Sequence, residues 1–297
     1  MPELPEVEVI RSSLANVLIG KEIAQVKVLE KRSFVDFDSA TAELLAGAVV
    51  DKVERRGKLL MLGLSVNSIT SDRILLIHLR MTGQLIYRAT GEDDPAFAGG
   101  YPSASLVGEL PGKTTRVIID FSDRSRLFFN DQRKFGYLKL VDQDALARED
   151  FLVRLGPEPL DDSFTWQRLR ESLGARSTTS IKAALLDQNR IAGIGNIYAD
   201  ESLFRARIDP RRSVASLNAA DYKRLLAGIR ECLIQSIDDG GSTWRNYVDA
   251  VGLRGEFLDL HATVYGRASK PCPKCKTPIT KIRLAGRGTH LCEKCQR

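Results

Sequence analysis

Pro2-Glu-Leu-Pro-Glu-Val-Glu-Val-Ile-Arg-Ser-Ser-Leu-Ala-Asn-Val-Leu-Ile-Gly20 carries one helical pattern and then stops. Val7, Ile10, Leu14, Val17 and Leu18 recur at three- and four-residue steps, which gathers them on one face. Pro5 suits a first turn, where a missing N–H costs nothing, and Gly20 suits the end. The spacing predicts an amphipathic helix over residues 5–19. The period then changes. Glu22–Leu29, Val49–Leu64, Arg73–Tyr87, Thr115–Phe121, Arg126–Asn130 and Phe135–Val141 have strand character, and Ser122-Asp-Arg-Ser125 reads as a hairpin turn. One helix ahead of such strands predicts a β-sandwich or barrel-like domain over residues 1–150. Thr90–Lys113, rich in Gly, Pro, Ser and Asp, reads as a long surface loop inside it.

Leu155-Gly-Pro-Glu-Pro159 breaks the chain, and helical segments follow: Phe164–Leu173, Ser180–Leu186, Ala199–Arg205, Asn218–Asp238 and Thr243–Val248. They predict a helical domain over residues 151–262. The last stretch, 263–297, holds Cys272-x2-Cys275-x16-Cys292-x2-Cys295. Each C-x2-C pair supplies half a tetrahedron, and sixteen intervening residues leave room for one β-hairpin. The pattern predicts a zinc ribbon holding one Zn2+ per chain, with two disulfides or an iron centre as the alternatives. Cys232, within the helical pattern Tyr222–Ile237, reads as a core thiol. The expected fold class is therefore α+β multidomain: a sandwich with a leading helix, a helical domain and a small ribbon.

Charge is unevenly spread. Tyr265–Arg297 carries nine Lys/Arg against Glu293, whereas the rest holds 35 basic and 37 acidic residues. A basic pole on a near-neutral body suits a polyanion. Apolar runs such as Leu59–Leu64 fall far short of the roughly 20 residues a membrane span needs. The acidic residues at 3, 6 and 8 do not fit a secretory leader. The expectation is a cytoplasmic protein with no membrane partner.

The N-terminus offers chemistry. With Met1 removed, Pro2 presents a secondary α-amine. Such an amine, with a pKa near 8, is roughly 10% free at pH 7, against about 0.04% for a lysine. It is a ready nucleophile for an aldehyde-like carbon. Glu3 and Glu6 stand where acid/base partners would be needed, although helix capping explains Glu6 and Pro5 equally well.

The opening MPELPEVE resembles the start of bacterial formamidopyrimidine-DNA glycosylases. RRGK (55–58), IHLRMTG (77–83), NDQRKFG (130–136), GPEP (156–159), GIGNIYADESLF (193–204) and AGRGTHLC (285–292) continue the likeness in the family's order. The resemblance implies a bifunctional glycosylase/AP lyase of base excision repair. It would act as a monomer on double-stranded damaged DNA and excise 8-oxoguanine and formamidopyrimidines. Pro2 would form a Schiff base with the deoxyribose, Glu3 would serve as general acid/base, and Glu6 would support it. Lys58 would take part in proton transfer during β-elimination, and Arg287, at the tip of the zinc hairpin where Gly286 and Gly288 would let the backbone turn tightly, in δ-elimination. Met81, Arg133 and Phe135 would fill the gap left by a flipped nucleotide. His78 and Asn196 would contact phosphate, Asn196 within a helix–two-turn–helix motif.

Some positions depart from the family. Lys113-Thr-Thr-Arg116 lacks an expected DNA-contacting histidine at 114, with Arg116 as its partial substitute, and Arg176-Ser-Thr-Thr-Ser180 lacks clustered lysines. Two other readings compete: a zinc-ribbon DNA-binding protein without catalysis, and a glycosylase of the oxidised-pyrimidine type. The first leaves Pro2, Glu3 and Lys58 unexplained; Leu4 and Met81 tell against the second.

Overall fold

The structure is a computed structural model. It describes residues 2–66, 69–90, 97–100, 109–242 and 255–297, with 69–72 and 97–100 described by their backbone alone. The chain divides into two compact units, Met1–Val153 with Gly240–Gly255, and Arg154–Asp239 with Glu256–Arg297.

In the first unit α1 (Leu4–Leu18) precedes β1 (Ile23–Val28), β2 (Phe34–Val35), α2 (Ser39–Leu45), β3 (Val49–Arg56), β4 (Leu59–Val66), β5 (Ile69–His78), β6 (Gly83–Arg88), β7 (Phe97–Gly100), β8 (Thr115–Phe121), β9 (Arg126–Asp131), β10 (Tyr137–Asp142) and α3 (Gln143–Leu146). α4 (Asp150–Arg154) follows. Two five-stranded sheets form, ordered β1-β8-β9-β6-β7 and β2-β10-β5-β4-β3. Their inner residues, among them Leu62, Leu75, Ile77, Leu85, Ile119 and Phe129, make one core. Val7, Ile10, Leu14 and Leu18 of α1 join it, each contributing about 1.5–3 kcal/mol by leaving water. The helix is also tied by charge: Glu8 takes Arg11 at 2.7 Å and Arg55 of β3 at 2.8 Å.

Two apolar stretches that read as single strands each hold two. Val49–Leu64 turns at Gly57 (φ 59°) into the β3–β4 hairpin. Arg73–Tyr87 turns at residues 79–82, and its halves join different sheets. β4, β6 and residues 74–78 of β5 are mostly buried, so apolar residues run through both stretches without marking the break. β7 lies inside the stretch read as the 90–113 loop, of which 91–96 and 101–108 are outside the described residues. The last strand begins at Tyr137 rather than Phe135, because residues 131–136 form the second crossing between sheets.

The second unit contains α5 (Trp166–Ser172), α6 (Ile181–Leu186), α7 (Asn196–Ala206), α8 (Ala219–Asp238), α9 (Phe257–His261) and the hairpin β11 (Thr280–Leu284)–β12 (Arg287–Leu291). Ser180 caps α6, and Asn218 caps α8 in a reciprocal box with Asp221. The 243–248 helix falls outside the described residues. Buried Glu201 of α7 accepts from the backbone N–H groups of Thr263, Val264 and Tyr265, anchoring the approach to the ribbon. Cys232 sits in the core of α8, and burial pushes its thiol up to about 12, which makes it inert. No helix among the described residues is long and apolar enough to cross a membrane.

Candidate active site and nucleic-acid interface

Pro2, Glu3 and Glu6 all lie buried at the start of α1. Glu6 does the holding. Its Oε2 accepts from the Glu3 N–H at 2.7 Å, and its Oε1 accepts from the N–H and Oγ of Ser242, both at 2.8 Å. Hydrogen bonds to a carboxylate at such lengths are strong, and together they tie the Glu3 backbone to Ser242 through Glu6. Lys58, nearly buried, follows Gly57 in the β3–β4 turn. Arg55, at the same turn, donates to the Gly57 carbonyl at 2.9 Å as well as pairing with Glu8 of α1. One arginine thus links α1 to the turn that carries Lys58.

His78 ends β5 and is buried. Desolvation, helped by the charges of Arg80 and Lys58, drives its imidazole down to about 3. The Arg80 N–H donates to Nδ1 at 3.0 Å, so the neutral ring keeps its proton on Nε2.

The two crossings between sheets lie side by side, since Gly83 registers with Asp131 and His78 with Tyr137. The first carries Met81 and the second Arg133 and Phe135. Met81 is 39% exposed and Phe135 54%, so both stand outside the core that their residue types would favour. Arg133 Nη1 approaches Met81 Sδ at 3.1 Å, and its guanidinium lies 4.8 Å from the Phe135 ring centroid. A cation stacked on an aromatic ring beside a thioether makes one projecting wedge. Fully buried Asp131 staples it together. Its Oδ1 accepts from Thr82 Oγ1 and, at 3.1 Å, the Arg133 N–H; Oδ2 accepts from the Gly136 N–H at 2.7 Å. Gly83 must be glycine, since a Cβ there would come within 2.4 Å of the Leu79 carbonyl oxygen. Arg116, expected to replace a missing histidine, spends its guanidinium on the Asp131 and Lys113 carbonyls at 2.8 and 3.2 Å.

In the second unit, Asn196 opens α7 behind Gly195, and its Nδ2 donates to the Gly288 carbonyl at 3.0 Å. Arg287 starts β12 and is exposed. The turn before it is Ala285–Gly286, both at positive φ, the two-residue turn a twisted hairpin prefers. Gly288 is thus not a turn residue; its carbonyl is an acceptor. Lys182 donates to that carbonyl at 3.0 Å and to Thr289 Oγ1 at 2.8 Å, and pairs with Asp200 at 2.6 Å with both side chains fully buried. Asp200 also accepts from the His290 N–H at 2.9 Å. Sequence reasoning missed Asp131, Ser242, Lys182 and Asp200. Asp131 lies in NDQRKFG (130–136) and Asp200 in GIGNIYADESLF (193–204), but nothing local signals their partners.

The four sulfurs of Cys272, Cys275, Cys292 and Cys295 lie within 4.8 Å of one another, with Cys272–Cys295 at 3.9 Å and Cys275–Cys292 at 3.4 Å. Sulfurs about 2.3 Å from a tetrahedral zinc stand about 3.8 Å apart, and disulfides would be far shorter. The donor set fits one Zn2+.

Residues 1–138 match the model of the formamidopyrimidine-DNA glycosylase N-terminal domain, 155–248 that of the family's H2TH domain, and 269–297 the zinc finger found in FPG and IleRS. The formamidopyrimidine-DNA glycosylase of Symbiobacterium thermophilum is 42% identical over all of this chain and 89% of its own length. The chain belongs to the formamidopyrimidine-DNA glycosylase family. That of Herpetosiphon aurantiacus is 41% identical with both chains fully covered. Among solved structures, Lactococcus lactis Fpg with an abasic-site DNA matches with a TM-score of 0.84 at 32% identity, covering 99% of each chain. The same protein with N7-benzyl-Fapy-dG DNA gives 0.84 and 32% over 100% of each. The zinc hairpin and the two-sheet unit described above are thus the family's parts.

Proposed function

We propose that this chain is a bifunctional DNA glycosylase/AP lyase that excises oxidised purines from duplex DNA through its N-terminal proline. The observation that carries the reading is the Glu6 clamp, which spends a buried carboxylate on fixing the Pro2–Glu3 backbone. With Met1 removed, the Pro2 nitrogen attacks C1′ and the bond to the damaged base breaks. Glu3 delivers the proton that opens the sugar ring. The product is an iminium, cationic because the amine is secondary, and so a strong electron sink. Loss of a C2′ proton, in which Lys58 takes part, expels the 3′ phosphate; δ-elimination, assigned to Arg287, expels the 5′ phosphate.

The Met81–Arg133–Phe135 wedge fills the vacated stack, with Arg133 reading the orphaned base. His78 offers a neutral Nε2–H to phosphate, and Asn196 and Arg287 contact the backbone. The proposed partition is a catalytic sandwich over 1–150, a helix–two-turn–helix domain over 151–262 and a ribbon over 263–297. The protein would act as a cytoplasmic monomer at the nucleoid.

Borohydride trapping on an 8-oxoguanine duplex tests this. Mass mapping should place the adduct on the Pro2 nitrogen, and one residue retained before Pro2 should abolish it. Glu3→Gln should lose intact-lesion excision far more than cleavage at a preformed abasic site. Normal trapping with Met1 retained would move the nucleophile to a lysine and sink the assignment.

A further inference from the structure

The cleft beyond the C-terminal end of α7 takes no part in the function above. About 770 Å³ in volume, it is lined by Arg207, Arg212, Arg224, Lys274, Lys294 and Arg297, with Cys275 and Cys295 in its wall. Asp221 engages Arg212 at 3.0 Å and Arg224 at 2.5 Å. Among the described residues no carboxylate pairs with Arg207, Lys274, Lys294 or Arg297. Set against Asp221, the main-chain carboxylate of Arg297 that takes Arg212 at 3.2 Å and the net two negative charges of four thiolates around one Zn2+, the six cations leave an excess of about two.

Two features point to a ligand and to its class. Arg207 holds φ 59° and ψ 38° where α7 ends, a left-handed conformation that glycine adopts at less cost. Arginine in this conformation completes the cap through its N–H and places a cation in the cleft at a backbone cost that glycine would not incur. Only arginine, lysine and cysteine side chains line the cleft, so its polar groups are almost all cationic heads. Guanidinium forks and ammonium groups gathered in this way suit phosphate oxygens and read no sequence.

Position separates this cleft from the contacts assigned to the first duplex. Asn196 opens α7 and Arg207 follows its end; eleven residues at 1.5 Å rise put about 16 Å between them along the axis. Arg287 and Cys292 likewise bracket β12, about 17 Å of strand. A duplex met end-on by the α7 N-terminus leaves the cleft a helix length behind it. We propose that this cleft binds the phosphate backbone of a second DNA segment, so that one molecule bridges two duplexes. The bridging geometry rests on the reading that Asn196 and Arg287 face the first.

The test mixes zinc-loaded full chain with two undamaged 16-bp duplexes, one carrying a donor dye and one an acceptor. Energy transfer should appear with the wild type and fade with salt. In Arg207→Gly/Lys274→Ala, transfer should fall at least five-fold and the salt slope of the second binding step by about two. First-duplex affinity should stay within two-fold and zinc content should not change. Arg207→Gly alone should not lower Tm, because it relieves the left-handed arginine. No transfer in the wild type, or transfer indifferent to the double variant, overturns the proposal. So does Arg207-dependent binding of a polyglutamate peptide without transfer, which would assign the cleft to an acidic protein. If Arg287→Ala left first-duplex affinity intact while Arg207-dependent transfer persisted, the hairpin-tip reading would fail and the cleft would stand.

Discussion

Asp131→Asn isolates the staple from the wedge it holds. The carboxylate is fully buried and accepts from three donors: Thr82 Oγ1, the Arg133 N–H and the Gly136 N–H. Hydrogen bonds to a charged group contribute about 1.5–3 kcal/mol each. An amide of the same shape keeps one oxygen but turns an NH2 toward a backbone donor, so at least one bond is lost and one buried group is left unsatisfied. The expected destabilisation is about 3 kcal/mol, or roughly 6–12 °C in Tm for a unit of this size. Function should change in a specific way. Thr82 and Arg133 sit on separate crossings, so loosening Asp131 lets Met81 drift from Arg133 and Phe135 while phosphate contacts elsewhere persist. Discrimination among bases opposite the lesion should fall toward that of Arg133→Ala, with undamaged-duplex affinity within about three-fold. Calorimetry and single-turnover excision against the four opposite bases measure both. A Tm within 2 °C of wild type together with unchanged discrimination would refute the reasoning.

His78 supplies a pH dependence. Its folded value, about 3, lies below the ordinary 6.5, so the unfolded chain binds the extra proton. The stability it contributes is complete above pH 6.5 and drains as pH falls from 6.5 toward 3, at up to about 1.4 kcal/mol per pH unit. Denaturant titrations of His78→Gln should show a shallower decline across that window; equal slopes would contradict the buried neutral ring. Lys182→Ala leaves Asp200 charged and buried, which should cost the helical unit about 3–5 kcal/mol. Since Lys182 also holds Gly288 and Thr289 beside Arg287, the ratio of β,δ- to β-elimination product should drop; an unaltered ratio would make the pair merely structural. Chelating zinc should abolish DNA binding while the sandwich keeps its far-ultraviolet β signal, and full binding by Cys292→Ser would refute the coupling.

Local features were readable and distant ones were not. The α1 stripe, the β8–β9 hairpin and the four-cysteine ribbon each declare themselves within a few dozen residues, because one period, one turn or one spacing carries the information. The crossing at 79–82 does not. Arg80 takes the left-handed conformation (φ 51°) in a stretch whose only turn-former, Gly83, already belongs to the next strand. Thr82 reaches Asp131 across 49 residues, Glu6 reaches Ser242 across 236, and Lys182 reaches Thr289 across 107. A pattern read along the chain cannot see those pairs. Motif resemblance nevertheless groups Met81, Arg133 and Phe135, and their side chains do meet.

Those long-range pairs share one logic. The groups assigned to chemistry sit on turns or element starts, where backbone N–H groups lack the partners a helix or ladder would give them. At several of these places, and at the entry to the ribbon, a buried carboxylate accepts them: Glu6 the Glu3 N–H, Asp131 that of Arg133, Asp200 that of His290 in the strand begun by Arg287, and Glu201 those of residues 263–265. A carboxylate can take three or four donors at once, which no neutral side chain of its size matches. It gathers donors from distant segments at the cost of its own desolvation, so removing the charge should loosen several turns together. Glu6→Gln should therefore weaken trapping through Pro2 by loosening the Glu3 and Ser242 contacts. Sparing intact-lesion excision and trapping equally would show instead that capping alone had placed it there.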